Sequence, residues 1–317
     1  MFKLGSPKIL TGLDITRTSV KVAQIEKLKN GWKLLRYGSI PIPENTIKLS
    51  YKSKNIINIE LFHQTIRKSM ELLAGEVSIA GLSIPNEIVK SSIHKYGELP
   101  KSKAEIGKMV EWGVGKLLPF HVKNMKISYH IIGKNQAGES ALFVTIGIQD
   151  VINEYELSLK ELKIDAKIIR PSGVSQLNFY INKLPKTACV AYIGLFDNFF
   201  TLFIFDDAQL IYYCGVKKGF SDIHFFHNID MAMQHYLNKN PDKQIEKFFI
   251  ASQVGDHQEL EDVLDVMRSI INKDIHIIDE KQIIEEDISH SEVKGLKNLS
   301  SYTSAIGAAQ SLEYNTN

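Results

Sequence analysis

The chain has 317 residues, 44% hydrophobic and 23% charged, a mixture that can bury a core and is too long for one small module. Its 38 Lys+Arg against 36 Asp+Glu leave a formal charge of +2, which excludes whole-molecule attraction to nucleic acid as the default reading. Only Cys189 and Cys214 are present, too few for a disulfide framework and without C-x-x-C zinc spacing, in keeping with a reducing compartment.

From Ile9 to Pro43 the alternation predicts three strands, ILTGLDI, SVKVAQIEK and GWKLLRYGSIPIP. A polar Thr16-Arg17-Thr18 turn and an Asn30-Gly31 hairpin signal join them into an antiparallel meander. Phe62, Ile66, Met70 and Leu73 then mark a helix over 58–74, and VSIAGLSIP a strand ending at Pro85. From residue 88 the order β-α-β-β-α-β follows. IVKSSIHKYGELP is a strand, and Ile106, Met109, Val110, Val114, Leu117 and Leu118 stripe a helix that Pro119 stops. MKISYHIIG and ALFVTIGI are strands around a turn at 134–139, Ile152, Tyr155, Leu159 and Leu162 stripe a helix, and DAKIIRP closes the unit. Beyond Pro171 come a helix, SGVSQLNFYIN, and a second meander, TACVAYIGL, NFFTLFIFDD and AQLIYYCGV. Two meanders of similar length indicate a duplicated half. A helix over 219–239, the strand KFFIAS, a helix striped by Leu260, Val263, Leu264, Met267, Ile270 and Ile271, and the strand DIHIID complete it. Residues 284–300 read as a polar loop and Tyr302–Leu312 as a final, small-residue helix.

No stretch of about 18 apolar residues occurs, the longest being of strand length, and MFKLGSPKILTGLDIT lacks an apolar h-region. The expectation is a cytoplasmic protein. His224, His227 and His235, with Asp230, have spacing that can ligate a metal, although solvated or core histidines are the plainer reading. Phe196, Phe199, Phe200, Phe203, Phe205, Tyr212 and Tyr213 crowd the second meander with Asp206 and Asp207 among them and no Lys or Arg before Lys217. That pattern reads as strand core rather than a base-stacking surface. Lysines at 3, 8, 21, 27, 29, 33, 48, 52 and 54 give the first third a basic bias, read as a solvated face or an affinity for an anionic membrane. Gly-x-Ser-x-Gly, Walker and Gly-x-Gly-x-x-Gly motifs are absent.

Several segments together carry a family resemblance: GLDITRTSVKVAQIEK, GWKLLRYGSIPIPENTI, EIGKMVEWGVGKLLPFHVKNMKISYHIIG and ALFVTIGIQDVINEYELSLKELKIDAKIIRPSG. In order and spacing the chain resembles the PilM family of type IV pilus assembly, with GspL and FtsA as relatives. The resemblance implies an α/β, two-lobed actin/Hsp70-like fold, ribonuclease H-like and duplicated, with an inserted α+β subdomain. Its implied division is a first lobe at 1–87, the inserted subdomain at 88–168, a return to the first lobe at 169–187, a second lobe at 188–299 and a C-terminal helix at 300–317 packing on the first lobe.

The resemblance also implies a nucleotide cleft, and there this sequence departs from the family pattern. The first loop should read D-x-G-[ST]-x-[ST], the glycine letting backbone wrap the phosphates and the Asp holding Mg²⁺ through water. Asp14, Thr18 and Ser19 match, with Arg17 and Lys21 as further candidates, but Thr16 replaces the glycine. The second loop should begin with an Asp that positions water or metal; here Tyr192-Ile193-Gly194 and Thr201 stand in its place. The adenine-contacting Gly-Gly turn is Ser252-Gln253-Val254-Gly255. These departures point to ATP and Mg²⁺ held weakly or not at all, and away from efficient hydrolysis. The plainer reading of Asp14, Thr16, Thr18 and Ser19 is a polar hairpin whose side chains satisfy turn amides.

The function implied is a scaffold at the inner membrane. The inserted unit and the edge of the first lobe form a groove for the cytoplasmic N-terminal tail of a PilN-like bitopic membrane protein. Alternatives from other classes are an ATP-hydrolysing switch of the same assembly and an FtsA-like filament former. The tail SYTSAIGAAQSLEYNTN, small and nearly uncharged, lacks the amphipathic membrane helix of the latter.

Overall fold

The computed structural model describes residues 8–116, 124–134, 138–218, 224–253, 257–271, 274–286 and 298–313. The opening alternation folds as an antiparallel meander of β1 (Ile9–Ile15), β2 (Ser19–Leu28) and β3 (Gly31–Pro41). Gly31, at φ 140°, makes its second turn. Helix α1 (Ile59–Glu71) starts where the Asn58 side chain accepts from the Leu61 amide, and it buries Phe62 and Ile66. Next comes β4 (Ile79–Ile84), parallel to β1.

A three-stranded antiparallel sheet follows, ordered β5-β7-β6 from β5 (Val89–Tyr96), β6 (Met125–Lys134) and β7 (Ser140–Ile148). Helix α2 (Lys103–Gly115), N-capped by Ser102, lays Ile106, Val110 and Val114 on Leu142, Val144 and Ile146 of that sheet. Pro119, expected to stop it, lies outside the described residues. Helix α3 (Gln149–Glu161) instead packs Val151, Ile152, Tyr155 and Leu159 into the cluster that holds Phe62 and Ile66 of α1.

Two expectations need correction. The strand DAKIIRP, β8 (Asp165–Pro171), does not close the three-stranded unit but pairs parallel with β4. There it satisfies the amides of β4's second edge and brings Ala166 into the cluster under α1. The polar stretch from 284 is not all loop, because β14 (Ile284–Glu286) pairs parallel with β3 and buries Ile284. The first sheet therefore has six strands, β14-β3-β2-β1-β4-β8.

The second meander, β9 (Val190–Phe196), β10 (Phe199–Asp206) and β11 (Gln209–Val216), is extended by β12 (Lys247–Ser252) and β13 (Ile275–Ile277). Its order β11-β10-β9-β12-β13 repeats β3-β2-β1-β4-β8, with the parallel strands again on the far side of the first one. The aromatics of this meander sit in its core. Helices α5 (Phe225–Lys239) and α6 (His257–Ile271) cover one face with Phe225, Ile229, Met233, Leu264 and Met267.

Helices α4 (Ser172–Tyr180) and α7 (Thr303–Ser311) lie between the two large sheets, inside one apolar cluster that joins Leu10 and Ile25 to Tyr192 and Phe203. The small residues of α7 allow backbone contact: a β-carbon on Gly12 would stand 1.9 Å from the Ala305 carbonyl oxygen, and one on Gly81 2.1 Å from that of Ala308. Among the described residues no helix is long and apolar enough to cross a membrane.

Candidate functional site

The β1–β2 and β9–β10 turns meet at one end of the two sheets, where a cleft forms. In the first turn the Thr16 amide donates to the Ser19 carbonyl (2.9 Å), and Thr16 Oγ1 donates to the same carbonyl (3.0 Å). Thr16 Oγ1 also accepts from the amides of Thr18 (3.2 Å) and Ser19 (2.9 Å). A hydroxyl thus takes up the turn amides that a glycine would leave free for an anion. Of the four residues in the polar-hairpin reading, Thr16 is the one whose side chain satisfies turn amides.

Asp14 lies behind the turn at 0% exposure. Its Oδ1 accepts from Ser83 Oγ (2.6 Å) and Ser172 Oγ (2.9 Å), and Oδ2 has no hydrogen-bond partner among the described residues. Burial pushes its carboxyl above the usual range, against the opposing pull of Lys21, Ser83 and Ser172. Lys21, on the paired position of β2, is lowered by burial and held up by Asp14 and Asp197.

The second turn reaches the first through Arg17 and Asp197, 3.5 Å apart. Behind it Gly194 and Thr201 are buried against α4: a β-carbon on Gly173 would meet Thr201 Cγ2 at 2.6 Å, and one on Gly194 would meet Gln176 Oε1 at 2.4 Å. Tyr192, fully buried, donates to Gln176 Oε1 (2.9 Å). Gln253, at the end of β12, points inward and donates from Nε2 to Ser304 Oγ, which donates to the Ser172 carbonyl (2.9 Å). The structure therefore gathers Thr16, Arg17, Thr18, Ser19 and Lys21 around one cavity, with Asp14 behind it and Gly194 and Thr201 packed away. Gly255 lies outside the described residues. That cavity holds about 80 Å³, well under the ~300–1,000 Å³ of typical small-molecule pockets. No group of His, Cys, Asp and Glu among the described residues could hold a metal, and His224, His227 and His235 are exposed along α5.

A larger cavity of about 310 Å³ opens between the three-stranded sheet and the first large sheet. Ile127, Ser128 and Lys126 of β6 form one wall and Ala166, Lys167 and Ile169 of β8 the other; Ile84, Val89 and Ile152 lie between them. Both walls are edge strands. Lys126 and Glu156 form an ion pair at its rim. Spacing along the chain gave no sign of these residues, because they come from segments as far apart as Ile84 and Ile169 that meet only once β8 joins the first sheet.

A duplicated sheet order whose matching turns face each other across a cleft defines the actin-like ATPase fold. A family model described as type IV pilus assembly protein PilM matches residues 12–219, more than half of the chain, and the protein belongs to that family. Among solved structures the chain is similar to a PilM-PilN type IV pilus biogenesis complex, with a TM-score of 0.78 at 11% identity over 95% of this chain and 98% of that one. It is also similar to a Bacteroides thetaiotaomicron protein with an actin-like ATPase fold and unknown function, with a TM-score of 0.53 at 9% identity over 88% and 94% of the two chains. At such identities the likeness carries the fold. No curated protein matches the sequence.

Proposed function

We propose that the protein is a cytoplasmic actin-like scaffold of a type IV pilus or type II secretion-like inner-membrane assembly. Its groove takes the cytoplasmic N-terminal tail of a PilN-like bitopic membrane protein. The observation that carries this reading is the cavity of about 310 Å³ walled by two strands that are sheet edges among the described residues. Edge strands offer free amides and carbonyls to an added strand, and Ile84, Val89, Ile152 and Ile169 offer an apolar floor for its alternate side chains. Family membership and the likeness to a solved PilM-PilN complex support the choice of partner. Docking orders a tail that is otherwise disordered, so the affinity should be modest, on the order of micromolar or −8 kcal/mol. The test is fluorescence anisotropy of a labelled PilN-like tail peptide against the full chain and against Ser128→Trp, which places an indole in the groove from an exposed position. Saturable binding weakened at least tenfold by the substitution is expected; absence of binding, or equal binding by both proteins, would overturn the reading.

On the same reading the cleft between the turns is a degraded nucleotide site. The amides of Thr18 and Ser19 are occupied, and Tyr192 supplies no carboxylate for metal or water. Calorimetric titration of Mg-ATP is expected to give no heat of binding up to millimolar concentration. Micromolar binding would favour an ATP-dependent switch of the same assembly instead.

A further inference from the structure

The polar side chains in the cleft are not used by the docking groove, and they are bonded to one another across the space between the sheets. Tyr192 on β9 bonds to Gln176 on α4. Gln253 on the turn after β12 bonds to Ser304 on α7, and Ser304 to the backbone at the start of α4. The Arg17–Asp197 pair adds little strength, since both groups are more than half exposed, but it joins the two turn tips. The glycine contacts at 173 and 194 show α4 packed directly on Thr201 and Gln176 packed directly on β9.

We infer that these contacts form a permanent clasp, in which the protein's own side chains hold the two sheets closed with no ligand between them. The clasp also reaches the groove. The Gly173 amide donates to Asn86 Oδ1 (2.8 Å), and Ser172 Oγ, whose one hydrogen is shared between Asp14 Oδ1 and the Ile84 carbonyl, lies 3.0 Å from the latter, so the start of α4 is tied to the segment after β4. Ile84 and Pro171 line the groove, whereas Pro85, Asn86 and Ser172 line the cleft. The two cavities lie back to back on the same two chain segments. A closed clasp keeps those segments in one arrangement and leaves the groove ready for its tail without nucleotide control. This consequence for the groove rests on the docking reading, while the clasp itself does not.

Hydrogen exchange followed by mass spectrometry on the full chain tests it, with and without millimolar Mg-ATP, for the wild type, Tyr192→Phe and Gln253→Ala. Each substitution removes one cross-cleft bond, and a bond of about 1 kcal/mol corresponds to roughly fivefold faster opening. Exchange over 172–178 and 190–196 should rise about fivefold in either variant and stay unchanged over α2, with wild-type exchange indifferent to Mg-ATP. Unchanged exchange in both variants would overturn the clasp, as would new protection of the wild type by Mg-ATP. The tail peptide, titrated in parallel, should bind the variants several-fold more weakly. Normal binding by loosened variants would sever the clasp from the groove. A wild type that binds no tail would refute the docking reading alone and leave the exchange result standing.

Discussion

The α-carbon of Gly307 faces the carbonyl oxygen of Ser175 so closely that a β-carbon there would stand 1.8 Å from it. Two helices that share no sequence neighbourhood therefore touch backbone to backbone between the sheets. Gly307→Ala should cost about 3 kcal/mol or more, because the obstructing atom is backbone and cannot rotate away. Urea denaturation should show a lower midpoint with an unchanged slope. A loss under about 0.5 kcal/mol, the range of a neutral surface change, would mean that the helices can separate freely.

Asp14 sets a pH dependence whose sign follows from its burial. Its carboxyl titrates above the usual range in the folded protein. The stability it contributes is therefore full below the ordinary aspartate value and is lost as pH rises through the folded value. Asp14→Asn keeps an acceptor for Ser83 and Ser172 and removes that loss. Thermal melts between about pH 4 and about pH 8 should show the variant gaining on the wild type as pH rises. A constant difference would mean that Asp14 stays ionised throughout.

The turn between β10 and β11 places Asp207 at φ 47° and Ala208 at φ 62°. Two successive left-handed residues suit the twist of a hairpin, but alanine holds that conformation at a cost of about 1–2 kcal/mol. Ala208→Gly should raise the urea midpoint by roughly 1 kcal/mol of stability, since the side chain is exposed. A lower midpoint would show that the loss of chain stiffness outweighs the relief of strain.

Glu154 on α3 accepts from the amides of Asn55 and Ile56 (3.1 Å for the latter), and so fastens the loop between β3 and α1 to a helix about a hundred residues further along the chain. Hydrogen bonds to a charged group are worth about 1.5–3 kcal/mol. Glu154→Ala should lower stability by about 2 kcal/mol and speed amide exchange over residues 46–57. Glu154→Gln, which retains an acceptor, should recover part of both. Equal behaviour of the two variants would mean that the carboxylate's packing, not its bonds, holds the loop.

Strands with strong alternation and a clear turn were legible in the sequence, as were helices whose Phe62-Ile66-Met70 or Val110-Val114 spacing faces one core. Pairing partners were not. The stretch DAKIIRP reads as a strand, yet nothing in it says that its neighbour is β4 rather than the strand before it. In β14 one buried Ile284 beside two glutamates is too short a pattern to register. The cleft showed its departures in sequence at Thr16, Tyr192 and Gln253, because each replaces a smaller or charged residue of the family pattern. That Tyr192 and Gln253 bond across the cleft depends on Gln176 and Ser304, which no local pattern marks. The cavity of about 310 Å³ between the three-stranded sheet and the first large sheet was not legible residue by residue, because its walls are set by which strands end up as edges.

The position of α7 has a consequence for how the protein is made. Its landing site is the face of β1 and β4 around Gly12 and Gly81, strands that leave the ribosome more than two hundred residues before it. The whole second sheet is synthesised before Thr303 emerges. At ~5–20 residues per second that interval lasts on the order of tens of seconds. Throughout it the nascent chain carries an uncovered apolar face with two glycines at its centre, a surface for a chaperone to shield until translation supplies the helix that covers it.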